Sequence, residues 1–168
     1  DDQLYSLLTP QEALDLGASA LVLHFLLGHE EQVEASCLRM TVQLAIAGSQ
    51  VGMPLIVDVQ PVGPRVVLRE KAVELGVSYA VESGADGVAV PWPGAESLGT
   101  ILAMAGEMPV WVKLTEDSIA DGATLPAEAL KAGAAGLWLD AWVFARPDPA
   151  EALRSLWDWV HHLEPEDS

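Results

Sequence analysis

Three phrases along this chain repeat one local instruction. Leu16-Gly17-Ala18-Ser19-Ala20, Ser83-Gly84-Ala85-Asp86-Gly87 and Ala132-Gly133-Ala134-Ala135-Gly136 each set a glycine and small residues between a helical pattern and an apolar run. Glycine fits the left-handed position just past a helix end, and small residues let the next strand start close to that helix. A junction that recurs in this form marks repeated βα units, and repeated βα units build a parallel sheet.

The rest of the chain reads in the same rhythm. Thr9, Pro10 and Glu12 form a capping box with proline at the first helical position, so a helix starts there and runs to Gly17. Strands are expected at Ala20–Leu26, Leu55–Val59, Gly87–Val90, Val110–Leu114 and Gly136–Leu139. Helices are expected at Glu30–Val51, Leu68–Ser83 (with Gly76 inside it), Ala95–Ala105, Leu125–Ala132 and Pro149–Leu163. The fold class is therefore α/β, one domain over residues 1–168 that closes with an acidic tail at 164–168. Five parallel strands fit either an open doubly wound sheet or part of a barrel. No Gly-x-Gly-x-x-Gly opens a helix and no phosphate-binding loop pattern occurs, which favours the barrel.

Charge narrows the partners. The 168 residues carry 25 acidic and 8 basic side chains, a formal −17. Such a surface repels nucleic acid and anionic membranes, and it disfavours an anionic substrate unless a local site overrides the field. Its plainest meaning is solubility. No apolar run approaches the roughly 20 residues of a membrane span. No basic-then-apolar leader is visible, so a cytoplasmic location is expected, although a cleaved leader would leave the same start. Cys37 is the lone cysteine and reads as a core thiol.

Several phrases occur in a telling order: Gly52-Met53-Pro54-Leu55-Ile56-Val57, Pro61-x-Gly63-Pro64, Gly84-Ala85-Asp86-Gly87-Val88, Pro91-Trp92-Pro93-Gly94, Met108-Pro109-Val110, and Gly133-Ala134-Ala135-Gly136 followed by Val143-Phe144. The series, spanning about Pro10 to Leu163, resembles the archaeal-type class I fructose-bisphosphate aldolases, with tagatose- and deoxyribose-phosphate aldolases more distant. The resemblance implies a (β/α)8 barrel of which this chain supplies strands four to eight. The chain is then a fragment or a truncated gene product, or its first three strands are disordered or supplied by another chain. An arc of five strands exposes two edges, so a homo-oligomer or a covering partner chain is expected.

The resemblance also implies a chemistry. Family members form a Schiff base on a lysine of the sixth strand, and the matching position here is Ala89. The proton-transferring tyrosine at the end of the fifth strand corresponds to Gln60. The acidic residue of the first strand has no counterpart. Phosphate is held after strands seven and eight, where this chain has Leu114-Thr115 and Asp140-Ala141, and an aspartate repels phosphate. The implied reading is a degenerate aldolase-like barrel without Schiff-base activity, serving in binding or assembly, with no cofactor and no metal.

A second set of residues keeps an enzymatic alternative open. Lys113 sits near the C-terminal end of a strand, where barrel sites are built, whereas Lys71 and Lys131 lie on helical faces. Deoxyribose-phosphate aldolases carry a second lysine at about that strand. Asp58 and Gln60 alternate onto one face, Asp140 ends the last strand, and His24 lies in the first. Lys113, Asp58 and Asp140 are thus candidate catalytic groups, and His24, Gln60, Trp92 and Trp142 candidate contacts for a small carbonyl or sugar ligand. The alternative is a carbon–carbon lyase acting through Lys113 or through residues outside this chain. The structural reading of the same residues is a salt bridge from Lys113 to Asp58 or Asp140, with His24 as a hydrogen-bonded core histidine. Trp157 and Trp159 read as core packing or a subunit contact, and His161-His162 as a frayed helix end.

Overall fold

A computed structural model describes residues 8–116 and 124–161. The acidic tail and His162, together with the side chains of Trp159 and His161, lie outside the described residues. The elements alternate in order: α1 (Pro10–Asp15), β1 (Leu21–Leu27), α2 (Glu31–Val51), β2 (Leu55–Pro61), α3 (Arg69–Glu82), β3 (Gly87–Pro91), α4 (Ala95–Ala105), β4 (Val110–Leu114), α5 (Thr124–Lys131), β5 (Gly136–Leu139) and α6 (Pro149–His161). A 3-10 turn over Ala141–Ala145, which the sequence reading leaves unassigned, links β5 to α6.

All pairings are parallel, and the strands lie side by side in chain order β1-β2-β3-β4-β5. An open doubly wound sheet reverses direction at a switch point. This sheet adds each strand on the same side of the last, which is how a barrel wall grows. The chain is an α/β fold of five parallel strands, part of a barrel.

The three repeated phrases fold as one device. Gly17, Gly84 and Gly133 take φ of 85°, 83° and 107°. The amides of Ala18, Ala85 and Ala134 each donate to a carbonyl five residues back, on Ala13, Ala80 and Ala129, all at 3.0 Å. Those three acceptors are buried alanines, so the full signal is Ala-x-x-x-Gly-Ala. The pattern is the Schellman closure of a helix end, with a methyl where the helix meets the sheet.

Strand alternation sorts the side chains into two layers. Leu23, Phe25, Leu27, Val57, Val59, Val88, Val90, Val110 and Val112 face the helices, where they pack on Cys37 of α2, Val73 and Val77 of α3, and Leu98 and Ile101 of α4. Each fully buried side chain of this kind contributes about 1.5–3 kcal/mol, so this face carries the stability. The opposite face holds His24, Asp58, Gln60, Ala89, Trp111 and Lys113. No helix among the described residues is long and apolar enough to cross a membrane.

Candidate functional site

The register decides which inner-face residues meet. His24 pairs with Asp58, and Asp58 with Ala89, which pairs with Trp111. Lys113 pairs with Pro91, two residues further toward the strand ends. Reaching back from there, its side chain crosses β3, where the small Ala89 leaves room, and arrives at β2. Its Nζ donates to Asp58 Oδ1 at 2.9 Å and to Oδ2 at 2.8 Å.

Asp58 is the hub. Its side chain is only 2 % exposed, and Oδ2 also accepts from Gln60 Nε2 at 2.7 Å and meets His24 Nδ1 at 2.8 Å. A carboxylate taken out of water needs its lone pairs filled and its charge opposed, and here Lys113, itself 11 % exposed, does both. Asp140 stands 3.8 Å from Lys113 Nζ, an ion-pair distance too long for a hydrogen bond. Its Oδ1 instead accepts from its neighbour's amide, Ala141 N, at 2.8 Å. A carboxylate therefore occupies the amide at the start of the 3-10 turn.

The structure thus gathers Lys113, Asp58, Asp140, His24 and Gln60 into one cluster at the C-terminal end of the strands. Where the sequence left Asp58 and Asp140 as alternative partners of Lys113, the first holds the hydrogen bonds and the second the longer contact. His24 is corrected in its setting: it is hydrogen-bonded, but its side chain is 66 % exposed rather than in the core. The reason is position, since β1 ends the sheet and no described strand flanks it on the outer side. Trp142 donates its indole N–H to Leu114 O at 2.8 Å and so ties the 3-10 turn to the end of β4. Trp92 packs against the helix-side core. Trp157 is exposed rather than packed in the core. Lys71 lies on α3 and pairs with Glu74, which also accepts from Ser97. Those bonds hold the Glu74 carboxyl below its usual range and push the Lys71 ammonium up.

One inner-face residue escaped the sequence reading. Trp111 spreads its ring over the neighbouring strands: a methyl added at Gly87 would meet Trp111 Cζ3 at 2.6 Å, and one at Gly136 would meet Cδ1 at 3.2 Å. The ring fits because both flanking strands offer glycine beneath it. The signal exists in the sequence only once the register is known. A separate cleft of about 390 Å3, lined by Leu27, Gly28, Glu34, Arg65, Leu68 and Lys71 among others, shares no residue with the cluster. Among the described residues no group of three His, Cys, Asp or Glu side chains is placed to hold a metal.

Comparison with known proteins follows the same lines. No family model matches the chain. It is 30 % identical over 163 residues to the 2-amino-4,5-dihydroxy-6-oxo-7-(phosphonooxy)heptanoate synthase of Streptomyces griseus, a match covering 94 % of this chain and 58 % of the synthase. The same-named synthase of Streptomyces griseus subsp. griseus gives the same figures. Among solved structures, a Schiff base-forming fructose-1,6-bisphosphate aldolase superposes with a TM-score of 0.79 at 24 % identity, covering 93 % of this chain and 64 % of that one. An archaeal fructose 1,6-bisphosphate aldolase gives 0.77 at 24 % identity, with 90 % and 62 % covered. An archaeal fructose-1,6-bisphosphate aldolase with its catalytic lysine bound to a carbinolamine intermediate gives 0.76 at 23 %, with 89 % and 61 % covered. The structural likeness is one of fold. The chain shares the fold of these barrels, and it spans 58 % of the length of the curated relatives it matches.

Proposed function

We propose that this aldolase-like barrel segment binds a small, uncharged carbonyl or sugar-like molecule at its strand mouth without forming an imine. The observation that carries the reading is the commitment of Lys113. Imine formation needs a neutral amine free to attack, and this Nζ donates to both oxygens of a buried carboxylate. Ala89, at the position where the resemblance puts the imine-forming lysine, offers only a methyl. Asp140 supports the preference for an uncharged ligand, because its exposed carboxylate stands at the mouth and repels a phosphate. Gln60 and the free N–H of Lys113 remain as donors for a carbonyl or hydroxyl oxygen. The reading includes a second copy or another chain over the open edges of β1 and β5.

The similarity to the Streptomyces griseus synthase favours a second reading, a carbon–carbon lyase. The product in that enzyme's name carries a hydroxyl two carbons from a ketone, which is the pattern an aldol addition leaves. One experiment separates the two. The protein is incubated with dihydroxyacetone, glyceraldehyde or fructose 1,6-bisphosphate, reduced with borohydride, and its intact and peptide masses measured. The expected result is saturable binding of the uncharged sugars by calorimetry with no mass added to any lysine. A reduced adduct on Lys113 would overturn the proposal and favour the lyase.

A further inference from the structure

The bond between His24 and Asp58 gives the cluster a capacity beyond binding. Asp58 Oδ2 can only accept when ionised, so His24 Nδ1, 2.8 Å away, carries the hydrogen. In the neutral ring the lone pair is then on Nε2. That nitrogen makes no hydrogen bond among the described residues, and the ring is mostly exposed on the inner face. The carboxylate that orients it is immobile, held by two bonds from Lys113 and one from Gln60. A fixed carboxylate that sets the tautomer and aim of a histidine is how a general base is prepared, and among the described residues no hydroxyl or thiol hydrogen-bonds to its Nε2.

A cation stands beside that base. Lys113 Nζ and His24 Nδ1 both contact the same Oδ2 at 2.8 Å, so the ammonium lies within two hydrogen-bond lengths of Nδ1, and the basic Nε2 lies one ring width beyond it. An ammonium has three N–H groups, of which Asp58 takes two. The third, with Asp140 too distant to bond it, is available to an oxygen in the mouth. A base and an oxygen-directed cation at this spacing match a carbon acid, meaning a carbonyl compound with a hydrogen on the adjacent carbon.

We propose that His24, aimed by Asp58, removes an α-proton from a small hydroxycarbonyl compound whose carbonyl oxygen is held by Lys113. The inference rests on the preceding reading of the mouth as a carbonyl-binding site. In the step, the α C–H bond breaks and its proton passes to His24 Nε2. The bonding pair forms a carbon–carbon double bond as the carbonyl π pair moves onto oxygen, where the Lys113 N–H stabilises the charge. Return of a proton from Nε2 to carbon regenerates the carbonyl compound. No oxidant, reductant or metal enters the balance.

The test uses the whole chain in D2O with dihydroxyacetone as the probe. Proton NMR follows loss of the α C–H signal, against free imidazole at equal concentration, and calorimetry follows binding of the same probe. General-base catalysis supplies about 100- to 10,000-fold, so exchange should exceed the imidazole control and fall at least about 100-fold in His24→Gln. The exposed ring on a terminal strand lets that variant fold, which circular dichroism checks. Loss of exchange in His24→Gln far beyond any weakening of probe binding is the expected result. Binding without exchange in the natural chain overturns this inference and leaves the binding reading standing. Absence of dihydroxyacetone binding overturns both. Exchange that persists in His24→Gln overturns the role of His24, and an accompanying borohydride adduct on Lys113 overturns the binding reading as well.

Discussion

At the scale of single residues, Asp58 is the group on which most depends. Replacing it with Asn leaves the Lys113 ammonium nearly enclosed, with only Asp140 at 3.8 Å to oppose it. Removing one partner of a buried ion pair costs about 3–5 kcal/mol, and Asp58→Asn should fall near the lower figure in urea unfolding because the asparagine oxygen still accepts. Lys113→Met should cost less, since Asp58 keeps His24 and Gln60 as partners. A double variant, Asp58→Leu with Lys113→Met, removes both charges and should recover most of the loss. Cys37 makes a second prediction. It is fully buried, and that burial pushes its thiol up from the ordinary range. Iodoacetamide should therefore leave the folded chain unmodified and label Cys37 only as it unfolds. Much of this chemistry was legible in advance, because alternation put Asp58 and Gln60 on one face and strand position singled out Lys113. The choice between Asp58 and Asp140 as the partner of Lys113 was not legible, for Asp58 lies 55 residues away and two strands across. Only the register, and the small Ala89 between them, selects Asp58.

Elements carry their own instructions, and these were the most readable part of the chain. The capping box at Thr9 and Glu12 is present in both directions, and the strands fall within two residues of their expected ends. The Glu12 carboxyl is held below its usual value chiefly by the Thr9 amide. A carboxyl lowered by folding stabilises the helix above its unfolded pKa and loses that contribution as pH falls through the lowered folded value. Amide protection factors at the start of α1, taken against the unfolded-chain rate at each pH, should accordingly fall on acidification across that window. Gly76 was only an oddity in a helical pattern, and its reason lies between elements. An added methyl would sit 2.6 Å from Leu27 Cδ1 and 2.6 Å from Val59 Cγ1, so α3 rests on β1 and β2 at glycine distance. Gly76→Ala gains up to about 1 kcal/mol of helix propensity but overpacks a stiff valine, at a cost of about 1–3 kcal/mol. Denaturant midpoints should show a net loss.

At the scale of the whole sheet, the decisive fact is that its barrel-like strand order leaves both outer strands unpaired on one side among the described residues. The outer edges of β1 and β5 have no strand neighbour among the described residues, and Val22 and His24 of β1 are open on the inner face. Against association stands a formal charge of −17. Screening shortens from about 30 Å at 0.01 M salt to about 8 Å at 0.15 M. Sedimentation should show larger species as salt rises, and Val22→Lys, which puts a cation on the open face, should diminish them. The strand order was legible because repeated junctions say that units are alike and consecutive. The aromatic part of the inner layer was not, because Trp92 and Trp142 stand out by following strand ends, while Trp111 needs Gly87 and Gly136 from two other strands to declare itself. That indole lies across the wall as a shelf. On the binding reading proposed above, a guest entering from the strand ends would meet an aromatic floor there rather than an open bore.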